Sequence, residues 1–151
     1  MARSDFRFRH TKRVRYAEID AQAVVFNSRY LEYFDIAITE YWRAVGMYDA
    51  APVSGGPEFH VAKALVEYKA PILLDEQVDI CVRCSRIGTS SMTFLFEIHG
   101  VGADDLRATG EEVSVHVAEA QGPPAPVPEA VIAMFEAYEG KILRAAQGQA
   151  A

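Results

Sequence analysis

The sequence predicts an α+β domain: one long helix wrapped by a five-stranded antiparallel sheet, with a short helix near the C-terminal end. Three observations carry this expectation. Residues 29–45 bear a broad aromatic stripe at helical spacing, the segments around them alternate with a period of two, and no second long helix interrupts the four strand-like segments that follow. A stripe that wide must lie against something large, and one antiparallel sheet is the economical way to bury it. The 151 residues suit a single domain with a real core, and no linker divides them.

Taken in order, residues 6–16 place Phe6, Phe8, Val14 and Tyr16 on one parity and Arg7, Arg9, Arg13 and Arg15 on the other, a first strand with a wet face. A turn-like stretch follows from Glu18 to Ser28. The helix is expected from about Arg29 to Val45, with Tyr30, Phe34, Ala37, Ile38, Tyr41, Trp42 and Val45 on its apolar side. Asn27 and Ser28 are both good N-caps, and Gly46 fits just past the C-terminus. Such a helix is about 25 Å long at the usual rise per residue. Residues 47–58, with Pro52, Gly55, Gly56 and Pro57, read as a loop.

Strands are expected at about 59–70, 77–87, 91–99 and 107–119. Met92, Phe94, Phe96 and Ile98 share one face of the third of these, and Val113, Val115 and Val117 share one face of the last. Gly88 and Thr89 make a tight connection between antiparallel neighbours. The run GPPAPVP at 122–128 then breaks the chain, and a short helix follows, with Pro128 near its start and Ile132, Phe135 and Tyr138 on its apolar side. About 1–4 and 144–151 are expected to fray.

Composition excludes several functions. A net charge of −6 and a pI near 5.2 disfavour a nucleic-acid binder. The longest apolar runs fall far short of the roughly 20 residues needed to span a bilayer, so no membrane partner is expected. The stretch MARSDFRFRHTKR has no apolar core of the kind a signal peptide needs, which leads to the expectation of a cytoplasmic protein. Arg3, Arg7, Arg9, Lys12, Arg13 and Arg15 concentrate positive charge near the N-terminus. Such a run protects a strand edge, and it also suits attraction of an anionic substrate.

Cys81 and Cys84 spell C-V-R-C inside a strand-like segment. Residues three apart on a strand point to opposite faces, so the sulfurs diverge, one half-buried and one outward. The four histidines are scattered singly, with no H-E-x-x-H or comparable spacing, and no G-x-G-x-x-G, P-loop or G-x-S-x-G occurs. No metal or bound redox cofactor is implied.

Residues 14–35 read VRYAEIDAQAVVFNSRYLEYFD. This segment resembles the active-site segment of the 4-hydroxybenzoyl-CoA thioesterase family, within the hotdog superfamily. There a strand ends in an Asp, a short hydrophobic turn follows, and an N-Y or R-Y pair opens the central helix. VEYKAPILLDEQVDI at 66–80, RIGTSSMTFLFEI at 86–98 and PAPVPEAVIAMF at 124–135 look like the family's later strands, hairpin and ending. The resemblance implies a hotdog fold and acyl-CoA thioester hydrolysis, with Asp20 as the catalytic carboxylate, base or nucleophile. It also implies self-association as homodimer or tetramer, with active sites at subunit boundaries.

The chemistry of the residues agrees. Thioester hydrolysis needs a carboxylate and a place for the developing negative oxygen. A helix N-terminus offers unpaired N–H groups and the positive end of its dipole, so the backbone N–H at Asn27 is the expected oxyanion donor. By the resemblance, Phe26, Tyr30, Phe59 and His60 are acyl-pocket candidates, and Arg86 and Ser90 are candidates for binding coenzyme A. Aromatic side chains here suit aryl, medium-chain or branched acyl groups alike.

Two departures from the family pattern stand out. Ala23 occupies a place where Gly is frequent, tolerable without strain only at negative φ, and otherwise costing about 1 kcal/mol. Only Arg86 is charged in the segment where aromatic-CoA relatives carry a basic cluster, which leaves a carrier-protein thioester open as substrate. Alternatives to a hydrolase are a hotdog hydratase or dehydratase, which residues 20–30 disfavour by lacking a His, and a non-catalytic acyl-thioester binding protein.

Overall fold

The computed structural model describes residues 2–49 and 56–145. The expected loop residues 50–55, Pro52 and Gly55 among them, and the expected fraying of 146–151 lie outside the described residues. A short 3-10 turn, Arg3–Asp5, precedes strand β1 (Phe8–Arg13) and a second 3-10 turn, Tyr16–Glu18. Helix α1 (Arg29–Val45) follows, then strands β2 (Glu58–Tyr68), β3 (Gln77–Ile87), β4 (Ser91–Gly100) and β5 (Leu106–Val117), and finally helix α2 (Glu129–Glu139). The strands form one antiparallel sheet in the order β1-β3-β4-β5-β2, so β1 and β2 are its edges. β1 pairs with β3 from Phe8 opposite Val82 to Arg13 opposite Gln77.

The chain divides into two compact units, to both of which α1 contributes: residues 1–41, 65–83 and 96–110 in the first, and 42–64, 84–95 and 111–151 in the second. In the first unit the stripe of α1 packs on aromatic side chains of the strands. Phe34 stacks on Phe96 with ring centroids 4.3 Å apart, and Tyr41 tilts against Phe8 at 5.5 Å. In the second unit Trp42 meets Phe59 at 5.5 Å and Phe94 at 5.9 Å, and Phe94 meets Phe135 of α2 at 5.9 Å. There the β3–β4 hairpin closes through Gly88 N–H to the Ser91 carbonyl, and the segment after α2 returns to pair with Ile87. α2 ends at Gly140, whose φ of 73° is the left-handed conformation usual for a helix terminus.

Several expectations shift. β1 stops at Arg13 because the chain turns at Tyr16–Glu18, which leaves Tyr16 81 % exposed rather than on the apolar side. The buried face of α1 includes Tyr33, outside the predicted stripe, whereas Trp42 and Val45 are half-buried. Cys81 and Cys84 are both fully buried, so neither faces outward. The N-terminal segment explains Cys81: Arg3 reaches across the outer face of β3 to pair with Asp79, and Phe6 is buried with the Arg83 guanidinium over its ring. Burial pushes the Cys81 thiol up to about 12, so it stays protonated and inert. In β5 the buried positions are Ala108, Glu112, Ser114 and Val117, while Val113 and Val115 are only half-buried.

One glycine of β5 is required by packing. A Cβ on Gly110 would lie 2.3 Å from the ring of Phe34, which is fully buried and stacked on Phe96 and has nowhere to move. Gly110→Ala is expected to destabilise the protein by about 1–3 kcal/mol, the usual cost of overpacking. A urea denaturation midpoint equal to the wild-type value would contradict this contact.

Candidate active site

Asp20 sits in a small hairpin built within the first compact unit. Ile19 and Val25 bridge, Asp20 N–H donates to the Val24 carbonyl at 2.9 Å, and Phe26 N–H donates to the Glu18 carbonyl at 2.9 Å. The turn closes through Ala23 N–H to the Asp20 carbonyl at 3.0 Å, and Gln22 N–H donates to Asp20 Oδ1 at 2.8 Å. An Asp bonding the backbone two residues on is a common device of turns. Asp20 is half-buried, enters no ion pair, and its Oδ2 has no partner within the chain among the described residues.

The hairpin is pinned from below by the turn between β2 and β3. Val25 N–H donates to the Ile72 carbonyl at 2.8 Å, Leu74 N–H donates to the Ala23 carbonyl at 3.1 Å, and Val24 bridges Leu73. That turn is clamped in its own right. Arg107 donates to the Pro71 carbonyl and to both carboxylate oxygens of Glu76, at 2.9, 2.9 and 2.7 Å, while Glu76 accepts from Leu73 N–H. The bonds from Arg107 hold the Glu76 carboxyl below its ordinary range, and those to Glu76 and Asp105 push the guanidinium up.

On the other side stands Glu18, whose carboxylate is 2 % exposed and takes bonds from Lys12, the backbone and side chain of Arg15, and the Tyr33 hydroxyl. Burial alone would raise its pKa, but these donors outweigh it and hold the group at about 2. Its own burial, and then the same contact, push the Tyr33 phenol up.

The start of α1 is held by backbone and by Tyr68, not by side-chain caps. Arg29 N–H donates to the Phe26 carbonyl, and the Asn27 carbonyl accepts from Tyr30 N–H and from the Tyr68 hydroxyl at 2.8 Å. Among the described residues neither Asn27 nor Ser28 makes a capping bond through its side chain, and the N–H groups of both have no acceptor in the chain. Those groups lie at the positive end of the helix dipole.

The remaining sequence candidates are placed as follows. Phe26 is 46 % exposed beside the hairpin, whereas Tyr30 is buried, edge-on to Tyr68 at 4.8 Å and stacked with Tyr33. Asp20, Phe26, Asn27 and Tyr30 thus belong to the first unit, while Phe59, His60, Arg86 and Ser90 belong to the second. Phe59 turns to Trp42 and His116, and His60, next along the strand, is exposed. Arg86 and Ser90 are half-buried at the β3–β4 turn, where the Ser90 carbonyl accepts from His116 N–H. Among the described residues no group of three or more His, Cys, Asp or Glu side chains could hold a metal ion.

Sequence reasoning missed Glu18, Tyr33, Tyr68 and Arg107. Tyr33 was findable, since it lies three residues after Tyr30 on the helix. The other three act through partners that no local pattern names.

Comparison with known proteins identifies the class. The family model of the thioesterase-like superfamily matches residues 14–135. The acyl-CoA thioester hydrolase YbgC of Escherichia coli is 30 % identical over 130 residues, covering 85 % of this chain and 96 % of that protein. A Thermus thermophilus thioesterase, solved in complex with coenzyme A and zinc, superposes with a TM-score of 0.80 at 30 % identity, over 92 % of this chain and 98 % of that one. A thioesterase-superfamily protein from a Jannaschia species gives a TM-score of 0.77 at 26 % identity, over 91 % of this chain and 86 % of that one. The fold is the hotdog fold. The chain belongs to the thioesterase-like superfamily, and its reaction class is thioester hydrolysis.

The expectation for Ala23 resolves toward strain. Its φ is 60°, left-handed, at the hairpin position where glycine has no Cβ penalty. Ala23→Gly is expected to stabilise the protein by about 1 kcal/mol, read as a raised denaturation midpoint at unchanged m-value. A lowered midpoint would mean that the methyl group packs favourably enough to outweigh the strain.

Proposed function

We propose that the protein hydrolyses an acyl-CoA thioester to the free acid and coenzyme A, with Asp20 as the reacting carboxylate and the first amides of α1 as the oxyanion site. One observation carries the reading. Within a single unit, a half-buried carboxylate whose Oδ2 has no partner among the described residues sits in a hairpin that runs directly into a helix start, where the Asn27 and Ser28 N–H groups have no acceptor among the described residues. Bound there, the thioester carbonyl would accept from those N–H groups, and negative charge would develop on its oxygen as Asp20 attacks the carbon or draws a proton from water. Where Asp20 draws the proton, the water oxygen adds to the carbon and the tetrahedral species expels the thiolate of coenzyme A, which takes that proton back. Where Asp20 attacks, the expelled thiolate leaves a mixed anhydride that water then hydrolyses to the free acid and the Asp20 carboxylate. No histidine lies between residues 20 and 30, so this segment itself supplies no imidazole to assist the carboxylate.

Coenzyme A as the thiol is supported by the relatives: the E. coli enzyme is named for acyl-CoA thioesters, and the T. thermophilus structure contains coenzyme A. Arg86 and Ser90 are the candidates on this chain for holding it, and Phe26 is the exposed aromatic candidate for the acyl group. Neither Cys81 nor Cys84 is in a disulfide, which suits a reducing cytoplasm, where we place the activity. Among the described residues no helix is long and apolar enough to cross a membrane.

Thiol release should be measured over aryl-, short-, medium- and long-chain acyl-CoAs. Asp20→Asn is expected to lower kcat by at least about 100-fold on whichever thioester turns over, with an unchanged melting curve. Because the oxyanion donor is main chain, Asn27→Ala should have only a modest effect. A near-normal rate for Asp20→Asn would sink the assignment of that residue.

The active form is proposed to be a homodimer or a tetramer. Support comes from β2, an eleven-residue edge strand that is exposed almost throughout and bears Val61, Leu65 and Tyr68 at 61, 46 and 53 % exposure. Unpaired strand edges with apolar side chains are where a second chain pairs. Light scattering at micromolar concentration should return at least twice the 16.7 kDa chain mass, and Val61→Lys with Leu65→Lys should lower it. A monomer in the wild type would dismiss this part of the reading.

A further inference from the structure

Glu18 lies two residues before Asp20, and nothing in the proposed reaction uses its carboxylate. It is nonetheless tied to three separate elements. Lys12 of β1 reaches both of its oxygens at 2.8 Å. Arg15, just before the 3-10 turn, donates its N–H to Oε1 at 2.8 Å and its Nε–H to Oε2 at 3.1 Å. Tyr33 of α1, fully buried, donates its hydroxyl to Oε1 at 2.7 Å, and the Lys12 ammonium sits 4.7 Å from the Tyr33 ring centroid. The backbone of Glu18 continues the connection, since its carbonyl accepts Phe26 N–H and so closes the hairpin that carries Asp20.

A surface turn has no need of a buried carboxylate. An apolar side chain of similar volume would fill the same space without the desolvation cost of a charge. What a carboxylate adds is direction: its donors fix its two oxygens in space, and with them the backbone from Ile19 to Phe26. Reaction at a carbonyl depends on that kind of fixity, because a displacement of about 1 Å is worth on the order of 100-fold in rate.

We propose that Glu18 is a positioning residue, which sets the angle of the Asp20 hairpin against the first turn of α1 so that carboxylate and helix amides meet one carbonyl. The proposal rests on the reading of Asp20 as the reacting carboxylate. Glu18 stays ionised across any practical assay range, so its removal acts on geometry and not on an acid limb of the pH profile.

The test compares steady-state kinetics and thermal melts of Glu18→Gln, Tyr33→Phe, Asp20→Asn and the double variant Glu18→Gln/Asp20→Asn, using a thioester that the panel shows to turn over. Glu18→Gln is expected to lower kcat by about 10- to 100-fold with KM changed less than about threefold, the signature of a misplaced reacting group. Tyr33→Phe, which removes a single donor, should lower kcat by about 3- to 10-fold in the same pattern. In the Asp20→Asn background, Glu18→Gln should cause no further loss, since it acts through Asp20.

Wild-type kcat in both Glu18→Gln and Tyr33→Phe would overturn the proposal, as would full additivity of the two losses in the double variant. If Glu18→Gln fails to fold, Tyr33→Phe alone decides. A near-normal rate in Asp20→Asn removes the underlying reading instead, and is seen in that single variant whatever the others do.

Discussion

The candidate site depends on a buried negative charge held at the crossing of a strand, a turn and a helix. Taking a carboxylate out of water costs several kcal/mol, and only close, well-directed donors offset that. Glu18 has them, and the result is a pKa near 2: the folded protein binds the charged form far better than the neutral one. Loss of one partner from such a buried set typically costs about 3–5 kcal/mol. The arrangement is therefore stiff, and stiffness is passed along the backbone to Phe26 and thence to the start of α1.

The opposite face of the hairpin is held by a chain of smaller contacts. Arg107 fixes Pro71 and Glu76; the turn they bound offers Ile72 and Leu74 to Val25 and Ala23. Ala23 is where the strain of this double clamping collects. A left-handed alanine persists only where its surroundings over-determine it, and here its N–H and its carbonyl are both engaged, one by Asp20 and one by Leu74. Glycine would relieve the strain and also free the turn in the unfolded chain, so the two effects partly oppose each other.

Much of this was legible in the sequence, for a physical reason. Helix α1 spans the residues its periodicity predicts, because a wide aromatic stripe and a terminal glycine are local signals. The strands follow from alternation in the same way, whereas Asp20 is singled out only by the resemblance of residues 14–35 to the thioesterase family's active-site segment, since an Asp after a strand by itself fits an ordinary turn. What local pattern does not encode is which distant segment covers an outward face. Cys81 has the parity of an exposed residue, yet Arg3 and Phe6 lie over that side of β3. Glu18 and Arg107 look like ordinary surface charges until their partners, 15 residues away for Tyr33 and 31 for Glu76, arrive through the fold.

The two sheet edges divide the work of fixing the site. β1 supplies Lys12 to the carboxylate that orients the Asp20 hairpin; β2 supplies Tyr68, whose hydroxyl donates to the carbonyl of Asn27. A donor on that carbonyl draws electron density from the Asn27–Ser28 peptide and makes the Ser28 N–H the stronger donor, the cooperative effect of linked hydrogen bonds. Tyr68 is 53 % exposed and lies on the strand proposed for association. A second chain covering β2 would exclude water from that phenol and strengthen its bond to Asn27, because a lower local dielectric raises the strength of every dipole contact. Assembly and the polarity of the proposed oxyanion site would then be linked through a single side chain, a physical reason for the proposed oligomer even though Asp20 and the start of α1 come from one chain.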